Sequence, residues 1–237
     1  MNLEQFREYT AWHHHSNERT YRAPAPPYKL LSVNPSSVQR YHPTLRLDWG
    51  LARVEGGGWD DPSNCERIRK TSTYIGLSER FEEEKDWEDT VLYQEVCAEF
   101  EHHKTVRGYR TVEEYLRTRC AYLDDLFDSI KREGYRPNEA ASHEKPAEDN
   151  HFENAYANHL EPLVAIARTG EIYWLEGFHR FAIASILNLD SVPVYVLCRH
   201  RQWQETRDEL YRTLSSDRPL SDEDKVEHPD MQDIREQ

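Results

Sequence analysis

The segment from Ile172 to Cys198 constrains this chain most. Ile172 to Leu175 reads as a strand, Glu176-Gly177 breaks it, and Phe178 to Leu187 has helical patterning. Val192 to Cys198 is then almost continuously apolar, the mark of a strand buried on both faces. A strand, a helix and a strand in so short a stretch predict a βαβ crossover. Upstream, Leu163 to Ala167 and the turn Arg168-Thr169-Gly170-Glu171 predict a hairpin with the strand at 172. Tyr28 to Val33, closed by Asn34-Pro35, predicts one more strand. The expected fold class is α/β (α+β), a small mixed sheet with inserted helices. Strands near 29–33, 163–167, 172–175 and 192–198 should share that sheet, with helices at 112–133 and 178–188 packed against it.

The helix at 112–133 has the clearest signals. Thr111-Val112-Glu113-Glu114 is a capping box, and Val112, Leu116, Cys120, Leu123, Phe127 and Ile130 form an apolar stripe that Gly134 terminates. Elsewhere the patterning is weaker. Residues 1–27 read as an N-terminal arm, because apolar positions are irregular and Ala23-Pro24-Ala25-Pro26-Pro27 stops any helix. Within it, adjacent His13, His14 and His15 spread around a helix and do not share a metal. Leu45 to Glu55 predicts a strand broken by Gly56-Gly57-Gly58, which lacks the Lys-Ser/Thr of a phosphate loop. Leu77 to Lys104 is acidic and helix-prone, and Trp203 to Leu214 predicts a last amphipathic helix. Residues 136–151, with His143 and His151, predict an exposed loop, and 215–237, with 8 acidic against 3 basic residues, a flexible tail.

Charge narrows the partners. The 237 residues carry a formal net charge of −14, which repels phosphate backbones and disfavours nucleic acid, save through a local basic strip. Only 7 residues are Lys against 23 Arg, a balance that fits either a halophilic source or an ordinary acidic protein of a GC-rich genome. No run is long and apolar enough for a membrane span, and the start lacks the apolar core of a signal peptide, so a soluble, cytoplasmic protein is expected. Cys65, Cys97, Cys120 and Cys198 form no metal or disulfide pattern and read as reduced, buried thiols.

One constellation speaks of chemistry. Leu175-Glu176-Gly177-Phe178-His179-Arg180 turns from strand through glycine directly into a helix, whose free N–H groups form an anion site. His179 and Arg180 add two cationic or donor side chains where the helix dipole disfavours positive charge unless an anion compensates. Glu176 is placed to accept a ribose hydroxyl, take a proton or help hold a metal. Spacing fits a second reading equally well, in which Arg180 pairs with Glu176 or a nearby carboxylate and His179 packs in a wall.

These residues resemble a known family. Tyr122-Leu123-Asp124-Asp125-Leu126-Phe127-Asp128-Ser129-Ile130 with Gly134, then 162–197 with Gly177, His179, Arg180 and Val192-Pro193-Val194, look like the core of the ParB/sulfiredoxin superfamily. The stretch at 30–41 is similar to that family's opening strand, with Pro35 and Arg40 in place. The resemblance implies one domain over 28–214, with insertions at about 42–121 and 138–160. It also implies that Gly177, Phe178, His179, Arg180 and Arg40 bind nucleotide phosphates, ATP or CTP with Mg²⁺, and that Glu176, His179 and Arg180 serve catalysis. Phe178 stands where sulfiredoxins carry their reactive cysteine, so thiol chemistry is not expected. The acidic stretch after Cys198 does not resemble the helix-turn-helix of partition proteins.

Three functions follow from these readings. The first is hydrolysis of ATP or CTP, or transfer of its phosphate to a small acceptor. The second is a non-catalytic ParB-like module, a nucleotide switch or an adaptor binding a protein partner through the inserted helices. The third, a ParB-like nuclease, is disfavoured by the acidic surface.

The composition carries its own test. If the halophile reading holds, raising KCl from dilute buffer to molar concentrations should raise the melting temperature by screening the −14 surface. A flat or falling midpoint in a thermal-shift series assigns the acidity to the ordinary explanation.

Overall fold

The computed structural model describes residues 3–137, 160–216 and 226–236. The loop expected at 136–151, with His143 and His151, lies almost wholly outside the described residues, as do most of the 138–160 insertion and residues 217–225 of the tail.

A mixed α/β fold is built on a seven-stranded sheet. Its strands are β1 (Leu30–Val33), β2 (Arg40–Tyr41), β3 (Arg53–Glu55), β4 (Glu66–Arg67), β5 (Leu163–Ile166), β6 (Ile172–Glu176) and β7 (Val192–His200). They order as β1-β7-β5-β6-β2-β4, with β3 also on β7. The apolar run at 192–198 becomes the centre, because β5 covers one edge while β1 and β3 lie end to end along the other. Its pattern thus reports burial of every residue but the half-buried Pro193 and Tyr195.

The helices are α1 (Leu3–Thr20), α2 (Ser72–Phe81), α3 (Val91–His102), α4 (Val112–Tyr115), α5 (Ala121–Glu133), α6 (Phe178–Ile186), α7 (Arg201–Leu214) and α8 (Gln232–Arg235). One sheet face, with Val164, Ile166, Trp174, Val192, Val194 and Val196, packs against Phe181 and Ala184 of α6, Trp203 and Leu210 of α7, and Met231 and Ile234. The opposite face packs against Phe6 of α1 and Leu51. A third cluster stacks α2 to α5 on the outer side of α6 through Ala182, Ile183 and Ile186. Helix α6 therefore lies between sheet and helical layer, and five of its nine residues are buried.

Several expectations need correction. The parallel pair closes between β5 and β7, not β6 and β7: the hairpin makes β6 antiparallel to β5, so β6 and β7 run in opposite directions on either side of it. The helix at 112–133 packs on α6 rather than on the sheet, and a π turn at Leu116–Cys120 interrupts it. The 42–121 stretch supplies β3 and β4 to the sheet, the strand expected over 45–55 being only Arg53–Glu55. The helix-prone stretch 77–104 divides into α2 and α3 around Glu84, which has a left-handed backbone (φ 56°).

Both ends are docked. The expected N-terminal arm is an 18-residue helix whose Phe6, Thr10 and Asn17 are buried, with Thr10 Oγ1 accepting from Leu51 N (2.9 Å) and Asn17 Nδ2 donating to Ala52 O (2.7 Å). Residues 226–236 of the expected flexible tail bury Val226, Asp230, Met231 and Ile234. Arg199 donates to Asp230 through Nε (2.9 Å) and Nη2 (2.6 Å), Trp203 Nε1 adds a bond of 3.0 Å, and Arg207 donates to the Asp230 carbonyl.

Burial pushes the Asp230 carboxyl up, but Arg199 and Arg207 outweigh it and hold it well below its ordinary value of 3.8. Its folded value lies under its unfolded one, so its stabilisation is complete above the unfolded value and decays as pH falls toward the folded one. Asp230→Ala should cost about 3–5 kcal/mol by leaving two buried arginines short of a partner, read by urea denaturation. Asp230→Asn should flatten the acid limb of stability against pH, whereas an unchanged limb removes Asp230 from the account.

Candidate functional site

The C-terminal end of β6, the N-terminus of α6 and the segment 160–162 form one corner. Gly177 bridges strand and helix in the left-handed region (φ 86°, ψ 36°), its carbonyl accepting the first helical bond from Phe181 N (3.1 Å). Among the described residues no side chain caps the helix start. The N–H groups of Phe178, His179 and Arg180 therefore lie at an uncapped positive helix end, as an anion site requires.

The glycine has a reason of its own. A Cβ at Gly177 would come within 2.9 Å of Pro162 Cβ and Cγ, and the backbone there is left-handed. Pro162 is fixed in turn, its carbonyl accepting from Tyr195 N of β7 (2.9 Å). The need for glycine is thus met by packing, before any ligand is considered.

Glu176 folds back so that its Oε1 accepts from Gly177 N (3.2 Å). The Phe178 ring packs edge-on against Tyr41 (5.2 Å between centroids), so this side chain is part of the wall. Arg40, beside Tyr41 on β2, takes the other side of the strand, where its guanidinium lies 3.9 Å from Glu171. The structure does not bring Arg40 to the corner, and the alternation that puts Tyr41 against Phe178 is the reason.

Arg180 is largely enclosed, with Nη1 3.8 Å from Glu161 Oε2 and 3.5 Å from Tyr135 Oη. Tyr135 donates to Glu161 at 3.0 Å, and burial first, despite the nearby Arg180, drives its phenol far above the ordinary range. His179 is different. Its Nδ1 lies 3.3 Å from Arg119 Nη2, and its Nε2 is buried without a hydrogen-bond partner among the described residues. Burial first, then the charges of Arg119 and Arg107, hold the imidazole well below its ordinary value. His179 is a neutral ring at physiological pH, so Arg180, Arg119 and Arg107 carry the positive charge.

Arg119, Arg107, Tyr135 and Glu161 were not identified from sequence. The π turn at Leu116–Cys120 was the available sign for Arg119: successive four-residue steps at Val112, Leu116 and Cys120 exceed the 3.6 of a regular helix. The other residues meet the corner only through tertiary packing.

The thiols have no activating environment. Burial pushes Cys120 and Cys198 up to about 12 and Cys65 up to about 11, and raises Cys97. Cys65 and Cys97 are half-buried rather than buried as expected. Among the described residues no group of three or more His, Cys, Asp or Glu side chains is arranged to hold a metal ion. Among the described residues the corner offers two carboxylates, Glu176 and Glu161, both engaged with protein donors, which do not amount to a resident Mg²⁺ site.

Gly177→Ala should therefore destabilise the folded protein whatever it binds. The left-handed backbone costs about 1–2 kcal/mol, and the Pro162 contact adds to it. Urea denaturation measures the loss; an unchanged midpoint shows that the 160–162 segment yields.

No protein-family model, curated protein or solved structure matches this chain.

Proposed function

We propose that the corner at the start of α6 binds the phosphates of a nucleotide, ATP or CTP, and that the protein hydrolyses it or transfers its terminal phosphate to a small acceptor. The observation that carries this reading is the joining of an uncapped helix start to Arg180 and to the buried, unpartnered Nε2 of His179. A buried polar atom without a partner costs about 1–3 kcal/mol and calls for an explanation; an anionic oxygen supplies one. Mg²⁺ enters this reading as part of the nucleotide. Catalysis then rests on positioning and on neutralising phosphate charge by Arg180 and the helix N–H groups, with Glu176 the candidate base. The −14 chain supports a small anion held in an enclosed corner over a polyanionic backbone spread across the surface.

A second reading has its own support. Arg180 already faces Glu161 and Tyr135, which suits a structural cation and a non-catalytic adaptor whose helical layer meets a protein partner. The readings separate because a phosphate competes with Glu161 for the guanidinium, whereas a structural Arg180 serves the fold alone.

Calorimetric titration with ATP and CTP, each with Mg²⁺, decides between them. Arg180→Ala, if folded, should weaken binding by about tenfold to a hundredfold or more, from charge-assisted bonds worth about 1.5–3 kcal/mol. Arg180→Lys should recover part, lacking the planar fork. Wild type that binds no nucleotide, or an Arg180→Ala variant with undiminished affinity, overturns the phosphate reading in favour of the adaptor.

A further inference from the structure

The contact between Arg119 and His179 has a chemical direction. A guanidinium has only donors, so at 3.3 Å Arg119 Nη2 donates and His179 Nδ1 accepts through its lone pair. A neutral imidazole carries one ring proton, which must then sit on Nε2. That nitrogen is buried with no hydrogen-bond partner among the described residues. The ring is thus an oriented N–H donor that meets no acceptor among the described residues, at the second residue of α6.

The fold spends local regularity on this contact. Arg119 lies in the π turn Leu116–Cys120, and such widened turns recur at functional sites because they redirect side chains out of helical register. Arg107 acts on the same ring from a tight turn closed by the Val106–Tyr109 bridge, with left-handed backbone at Arg107 (φ 52°) and Gly108 (φ 86°). Two arginines beside a neutral histidine create positive potential around a group that does not itself take a proton.

We propose that Arg119 is a positioning residue that fixes His179 as the Nε2–H tautomer, making His179 a neutral hydrogen-bond donor to an anionic oxygen of the ligand held at the start of α6. The proposal rests on the phosphate reading for its ligand, but the tautomer exists without one. His179 then recognises an oxygen acceptor by geometry, while Arg180 supplies the charge. Neither residue takes or gives a proton in this step.

Nitrogen-15 NMR of the full-length protein tests the idea, with the His179 ring assigned by its loss in His179→Gln. Ligand-free wild type at neutral pH should show a single Nε2–H tautomer with Nδ1 at the shift of a hydrogen-bonded acceptor. Arg119→Met should move Nδ1 to the shift of an unbonded lone pair, and Arg119→Lys should keep part of the bonded shift. Adding inorganic phosphate or ATP should move the Nε2–H signal of wild type, and Arg119→Met should bind ATP about tenfold more weakly, the loss of one charge-assisted bond's worth of positioning. An Nδ1–H tautomer, an imidazolium at neutral pH, or an Nδ1 shift indifferent to Arg119→Met overturns the proposal even where calorimetry finds ATP bound. If neither phosphate nor any nucleotide moves Nε2–H, the donor role falls. Calorimetry then says whether the phosphate reading falls as well, since ATP bound without touching Nε2–H leaves that reading standing. Should Arg119→Met not fold, the wild-type and Arg119→Lys spectra still decide the tautomer.

Discussion

A carboxylate fully removed from water organises this protein. Asp230 is buried between Arg199 of β7 and Arg207 of α7, and the indole of Trp203 completes its coordination. Burying an acid and two guanidiniums is costly, and their attraction offsets that cost only when nearly every donor finds an acceptor. Here the surplus donors reach outward. Arg207 also bonds Asp233 (2.7 Å) and the carbonyl of Ala23 (3.2 Å), while Lys29 reaches Asp233 (2.8 Å). Segments near both ends of the chain are thereby fixed to the central strand through one polar hub. The indole that serves Asp230 also lies over Gly170, where an added Cβ would meet the Trp203 ring at 2.6 Å, so the β5–β6 hairpin is tied to the same place.

The hub depends on an irregularity in β7. Val164 aligns with Val196 but Ala165 with Cys198, so β7 carries one extra residue opposite β5. Before the bulge, Val192, Val194 and Val196 face the α6 side and Tyr195 the α1 side. Strict alternation would send Arg199 to the side of Tyr195; the extra residue turns it toward Asp230 instead. One inserted residue thus decides whether the arginine meets its acid or an apolar face.

This explains what was legible in the sequence. The strands at 163–166, 172–176 and 192–200, the Gly177 joint and the Thr111 cap are announced by local chemistry: apolar runs, a left-handed glycine, and a hydroxyl accepting from Glu114 N (3.1 Å). The docking of the ends is not local. Helix α1 holds on through Phe6 and two polar side chains, Thr10 and Asn17, whose partners lie 41 and 35 residues away. In the last segment, Asp230 reads as one more surface acid because its arginine is 31 residues upstream. Composition marks such stretches as solvated; only the tertiary partner reverses that.

The candidate site divides along the same line. Gly177, His179 and Arg180 are consecutive enough to be read together, whereas Arg119, Tyr135 and Glu161 arrive from separate elements and change what the first three mean. Gly177 is required by Pro162, so it loses force as an argument for a ligand. Arg180 has a carboxylate and a phenol beside it, so its charge is compatible with either a structural or a binding role. His179 gains force in exchange: burial and then two arginines keep it neutral, and its outer nitrogen is buried and unmatched among the described residues. Stability alone does not favour such a position, since a buried polar atom without a partner costs about 1–3 kcal/mol. A histidine there, reached by an arginine from a widened helical turn, is a cost that an anionic acceptor would remove, and that cost is what supports the proposed anion site.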